Sequence, residues 1–213
     1  MANLITFCRM ALLFAILLIL NFGGFAGHIV GFFLTILIIA LDWIDGVVAR
    51  LLKETSEFSG VFDIVVDRIV ENSIWIYFTS KGIISFWVPV IVLTRGFLID
   101  GIRSVALAKG MTAFGEKTLQ KSTIGKVLVN SHMSRGLYGM SKVLSFLSLI
   151  VLQALSFPEA ESFISSAALW HSKIVFLTYT LVYITVAFCI LRGIPVFFDS
   201  WKFLSSRRFS QEP

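Results

Sequence analysis

Apolar residues dominate six stretches of the chain, at about 5–22, 29–52, 61–80, 83–108, 136–157 and 173–197. Each is close to or above the roughly 20 residues that an α-helix needs to cross the hydrocarbon core of a bilayer. The pattern predicts an all-α, polytopic membrane protein with six transmembrane helices in one domain, 1–213. Polar breaks fall at 21–28, 53–60, 80–82, 109–135 and 157–172, the last carrying Pro158, Glu159 and Glu161. The remainder, 198–213, reads as a cytoplasmic tail with Lys202, Arg207 and Arg208. Ala11 to Leu20 resembles the apolar core of a signal peptide, with small residues at 23–27. Only Arg9 flanks that run on its N-terminal side, and the polytopic pattern continues at once, so it is read as the first span.

Composition excludes a water-soluble globule. Of 213 residues, 57% are hydrophobic and only 15% charged, with a mean hydropathy of +0.88, against about 25% charged in an average soluble domain. Cys8 and Cys189 both lie in apolar sequence and indicate no disulfide framework. The net charge is +5, and its distribution sets an orientation. With the N-terminus inside, only Lys81 and Lys173 of the 18 basic residues fall in or beside external loops. The rest gather on or near the cytoplasmic face, as the positive-inside rule requires. That face suits anionic lipid headgroups and phosphorylated substrates. Nucleic acid is a poor alternative, because the chain has no soluble basic surface interleaved with aromatic residues.

Carboxylates inside a membrane span cost about 2.5–3.5 kcal/mol each at a helix centre on insertion scales. The second and third spans nevertheless carry Asp42, Asp45, Asp63 and Asp67. Asp42, Asp45 and Ala49 share one helical face, and Asp63 and Asp67 share another. A short polar turn makes these helices an antiparallel pair, which gathers four acids into one cluster. Four such charges need cations to offset them. Hard oxygen ligands without His or Cys select Mg²⁺ or Mn²⁺, and four carboxylates suit two bridged ions, a device for phosphoryl chemistry. Gly46 lets a bulky ligand approach the backbone, and Arg50 offers a fork to a phosphate. An alternative reading of the same acids is pairing with Arg50, Arg68 and Lys53 at the membrane interface, without metal.

The stretch Asp42 to Asp67 resembles the signature of the CDP-alcohol phosphatidyltransferases: DxxDGxxAR, eight residues, then GxxxDxxxD. Seven of its eight fixed positions match, and Ser59 stands where the second glycine is usual. The N-terminal segment from Asn3 through Thr6 to Arg9 is also similar to that family, as is the count of six membrane helices. The resemblance implies that Asp42, Asp45, Asp63 and Asp67 bind two divalent cations, Mg²⁺ or Mn²⁺. It implies that Asp67 also serves as general base toward the acceptor hydroxyl. The CDP moiety of CDP-diacylglycerol would lie against Gly46, Ala49, Arg50 and Ser59, with Asn3 and Thr6 completing its polar contacts. The hydroxyl would attack the β-phosphorus and CMP would leave. A homodimer, with the active site and both termini on the cytoplasmic side, is implied too.

The acceptor has to be read from other polar residues. Arg95 and Arg103 stand about two turns apart on one face of the fourth span, placed to clamp a phosphate. Together with Gly125-Lys126 they resemble the branch of the family that uses sn-glycerol 3-phosphate, the phosphatidylglycerophosphate synthases. Two features depart from that branch: Gly96 replaces an acid, and Val127-Leu128-Val129 replace its usual Lys-Thr. Inositol phosphate, then inositol or serine, are the alternative acceptors, and simple snorkelling to lipid phosphates is the bland reading of the arginines. A different class, a transporter with a path of buried acids, would place them nearer the midplane in repeated halves, which this chain lacks. A silent binder of CDP-lipid is the third reading, and the four intact Asp argue against it. Glu71 is read as an interhelical partner, His28, His132 and His171 as solvated, and Trp87, Trp170 and Trp201 as interface anchors.

Overall fold

The computed structural model describes residues 2–52, 57–108, 131–163 and 167–205. Side chains are described within them except at 2–3, 45–52, 57–59, 103, 106–108, 132, 162–163, 167–169 and 199–205. Every regular element among these residues is an α-helix: α1 (Ala2–Phe22), α2 (Gly24–Leu52), α3 (Glu57–Ser80), α4 (Trp87–Ala108), α5 (His132–Ala154), α6 (Glu159–Phe163) and α7 (Ala167–Ser205). Spans within α1, α2, α5 and α7 (Leu4–Phe22, Gly24–Ile44, Met133–Ala154 and Trp170–Phe198) are long and apolar enough to cross a membrane. Helices α3 and α4 have 24 and 22 residues, enough in length, but both carry several charges. Length and apolarity together therefore mark four crossings among the described residues, where the sequence pattern predicts six.

The helix boundaries have local causes. The expected break at 21–28 shrinks to Gly23, because α2 starts at Gly24, whose φ of 57° is the left-handed conformation that favours glycine. A Cβ on Gly23 would lie 2.5 Å from the Ile19 carbonyl oxygen and 2.7 Å from the Gly27 Cα, so the chain turns there only without a side chain. Helix α3 ends in a Schellman cap: Ile83 N–H donates to the Phe78 carbonyl at 3.1 Å and Gly82 N–H to the Thr79 carbonyl at 2.9 Å, with Gly82 at φ 71°. That cap delays α4 to Trp87 rather than 83. In the expected break at 157–172, Pro158 precedes the short α6, and α7 begins at Ala167 and runs through Ser205, well into the expected tail.

The chain divides into two compact units, 1–89 with 143–181 and 90–142 with 182–213. In the first, α1 packs against both α2 and α3. Leu13 and Ile16 of α1, Val66, Trp75 and Phe78 of α3, and Leu149 and Ile150 of α5 are almost wholly buried. The Trp75 and Phe146 rings meet edge to face with centroids 4.7 Å apart. Polar groups inside this apolar packing are tied to one another, as a low-dielectric interior demands. Tyr77 donates its hydroxyl to the Leu20 carbonyl at 2.8 Å and accepts from Gln153 Nε2 at 3.1 Å, which links α1, α3 and α5. His28 is buried rather than solvated: its Nδ1 lies 2.6 Å from the Gly24 carbonyl oxygen one turn back, and Phe157 covers its ring. Trp87 and Trp170 are exposed near helix starts, as interface anchors should be. In the second unit, Ile99 of α4 packs on Val196 of α7. Large exposed side chains such as Phe7, Phe14, Phe33, Phe176 and Phe198 form the surface a membrane protein offers to lipid tails.

Candidate functional site

Three of the four predicted acids converge. Asp42, on α2, and Asp63 and Asp67, one turn apart on α3, each present a carboxylate oxygen, and these atoms lie within 4.8 Å of one another. The spacing i, i+4 stacks Asp63 and Asp67 on one face of α3, and that face meets Asp42 of α2. At their centre is Arg9 of α1, whose side chain is only 3% exposed while the three acids are nearly half exposed. Arg9 Nη1 donates to Asp63 Oδ1 at 2.9 Å, and Nη2 reaches Asp67 Oδ1 at 2.5 Å and Asp42 Oδ1 at 2.6 Å. Its Nε is buried without a hydrogen-bond partner among the described residues. Thr6, three residues earlier on the same face of α1, is buried as well.

Of the alternative partners of the acids, the Arg50 side chain and Lys53 lie outside the described residues. Arg68 contacts Glu71 at 3.4 Å, one turn along α3, and the acid cluster takes its counter-charge from α1. Three carboxylates closed around one buried guanidinium make a pocket built for positive charge. Its donors are all hard oxygens, with no His or Cys in the group, so the residues fit a Mg²⁺ or Mn²⁺ ion approaching from the half-exposed side. The side chains of Asp45, Ala49, Arg50, Ser59 and Asn3, and the surroundings of Gly46, lie outside the described residues. Gly46, Ala49 and Arg50 stand on α2, Ser59 on α3 and Asn3 on α1.

A basic cluster forms within the second unit. Arg95 of α4, Lys142 of α5 and Arg192 of α7 all lie over the Tyr138 ring, at 5.7, 4.8 and 5.7 Å from its centroid. Arg192 is 5% exposed and donates from Nη1 to Ser134 Oγ at 2.6 Å. Gly193 leaves room for the Arg95 stem, since a Cβ there would lie 3.0 Å from Arg95 Cγ. An aromatic face attracts cations, but three around one ring also repel each other, and an anion among them would relieve that. Arg95 is thus brought together with residues that the spacing argument does not name. The Arg103 side chain and Lys126 lie outside the described residues.

Arg9 and Arg192 are buried arginines to which the sequence reading gives no site role, although Arg9 stands in the N-terminal segment that resembles the family. Both carry the same signal, an arginine inside an otherwise apolar run, which marks a function or a buried partner by default. What the sequence withholds is which acids or rings they face.

The described residues thus make a helical membrane protein with a carboxylate cluster on two of its helices. The chain belongs to the CDP-alcohol phosphatidyltransferase family, whose model matches residues 1–191. It is similar to a putative cardiolipin synthase of Mycobacterium tuberculosis, 30% identical over 113 residues, 52% of each chain. A probable phosphatidylglycerophosphate synthase of the same organism is 27% identical over 114 residues, 52% of this chain and 54% of that protein. A CDP-diacylglycerol–glycerol-3-phosphate 3-phosphatidyltransferase of Bacillus subtilis is 26% identical over 83 residues, 39% of this chain and 43% of that protein. The chain spans about half the length of the curated relatives it matches.

Proposed function

We propose that the protein transfers a phosphatidyl group from CDP-diacylglycerol to the hydroxyl of sn-glycerol 3-phosphate and releases CMP. The observation that carries this reading is the convergence of Asp42, Asp63 and Asp67 in a pocket for positive charge, within the family signature. Asp42, Asp45, Asp63 and Asp67 would hold two divalent cations, Mg²⁺ or Mn²⁺. Bound there, the cations supply electrostatic stabilisation of the diphosphate and of the departing CMP. Asp67 takes the proton from the acceptor hydroxyl, whose oxygen attacks the β-phosphorus as its bond to the CMP oxygen breaks. The CDP group rests against Gly46, Ala49, Arg50 and Ser59, with Asn3 and Thr6 nearby in sequence to the first span.

The acceptor phosphate is assigned to Arg95, with Arg103 and Lys126, and the Tyr138 cluster adds Arg192 and Lys142 to that set. Three cations around one ring support a phosphorylated acceptor over serine, choline or ethanolamine. Helices α3 and α4 complete six crossings, with both termini and the acid cluster on the cytoplasmic side, where the basic residues concentrate. The relatives named putative cardiolipin synthases raise cardiolipin as a second candidate product, for which the acceptor would be phosphatidylglycerol. Mass spectrometry of the lipid product distinguishes them. Purified protein given CDP-diacylglycerol and Mg²⁺ should form phosphatidylglycerophosphate from sn-glycerol 3-phosphate. Product only from phosphatidylglycerol, inositol phosphate, inositol or serine would keep the chemistry and discard the acceptor.

A further inference from the structure

The geometry points to Arg9 as a tethered counterion that competes with the divalent cations for the carboxylate cluster and so sets how tightly they bind. The inference rests on the metal reading above and adds to it a residue from a helix outside the signature. Arg9 engages the Oδ1 atom of all three described acids through two nitrogens. A divalent cation sits about 2.0–2.1 Å from its oxygen ligands if it is Mg²⁺, so it would draw on the same oxygens that now accept from Arg9. Guanidinium and cation also repel, and the guanidinium is buried, where that repulsion is poorly screened. Binding of metal therefore costs part of the Arg9 contact.

In the metal-free protein the sign is opposite. Three carboxylates whose oxygens lie within 4.8 Å would repel strongly without an internal cation. Arg9 holds them together and preserves the junction of α1, α2 and α3 when the site is empty of metal. Arg9 is thus a positioning residue. It trades metal affinity for a cluster that survives without metal.

The test is Mn²⁺ binding to the full-length chain in detergent, read from the electron paramagnetic resonance signal of free Mn²⁺, with thermal unfolding measured in parallel. Arg9→Gln should bind Mn²⁺ about tenfold more tightly than the unmodified protein, within the range by which residues contacting metal ligands alter affinity. Without metal it should melt at a lower temperature, and added Mn²⁺ should raise its melting temperature more. Arg9→Lys, a point charge with a shorter reach, should lie between the two. If Arg9→Gln does not fold, Arg9→Lys decides alone: tighter Mn²⁺ binding supports the inference, and unchanged or weaker binding overturns it. Equal or weaker binding by a folded Arg9→Gln likewise overturns it. Asp63→Asn separates the two ideas. If that variant loses Mn²⁺ while Arg9 variants bind as the unmodified protein does, the competition fails and the metal reading stands. If no form binds Mn²⁺, both fail.

Discussion

Asp67 meets Arg9 on one side and belongs, in the proposed reaction, to the acceptor on the other. Asp67→Asn keeps the shape and removes the base, so turnover should fall by about 10²-fold or more, while CDP-diacylglycerol binding, followed by calorimetry, largely remains. Retained turnover would release Asp67 from that role. In the basic cluster, Arg192→Ala should raise the acceptor KM about tenfold, in line with the loss of one charge-assisted hydrogen bond. The KM for CDP-diacylglycerol should stay near its starting value. A KM for the acceptor that does not move would place its phosphate elsewhere. Asp42, Asp63 and Asp67 are legible in the sequence because helical spacing sets Asp63 and Asp67 on one face and the signature links them to Asp42; the Asp45 side chain lies outside the described residues. Arg9 is 54 and 58 residues from Asp63 and Asp67, so no local periodicity links them. Arg192 reaches Ser134 over a separation of 58 residues for the same reason. Burial of His28 is hidden similarly, since its cover, Phe157, comes from a distant segment.

Among the elements, the α1–α2 junction gives a sharp expectation. Gly23→Ala would push a methyl group against the Ile19 carbonyl and the Gly27 Cα, both backbone atoms that cannot swing aside. The variant should lose about 1–3 kcal/mol, the usual cost of overpacking, and melt at a lower temperature in detergent. An unchanged melting temperature would show that the helices separate there at no cost. All six apolar stretches coincide with long helices, because hydrophobic runs of this length have few other solutions in lipid. Their ends are less legible. The cap at Gly82 and the one-residue turn at Gly23 depend on backbone angles, and α7 runs on past 197 although it carries Pro195. Charges on α3 and α4 are what blur the count of crossings, and Asp63, Asp67, Arg95 and Arg103 among them are assigned to chemistry.

For the whole molecule, the proposed orientation rests on the distribution of basic residues. Single cysteines at 81 and 173, in a background without Cys8 and Cys189, should react with a membrane-impermeant maleimide added outside intact cells. Cysteines at 53 and 126 should react only after lysis. The reverse pattern would turn the acid cluster to the outer face and deny it a cytoplasmic nucleotide-lipid.

The central claim is that the acid cluster performs a metal-dependent transfer from a CDP-lipid. It is tested most directly by CMP release from CDP-diacylglycerol with sn-glycerol 3-phosphate, comparing the unmodified protein with Asp63→Asn, each with Mg²⁺ or with excess chelator. The account predicts CMP release by the unmodified protein with Mg²⁺, and none with chelator or in folded Asp63→Asn. Release that persists through chelation, or in Asp63→Asn, would contradict it.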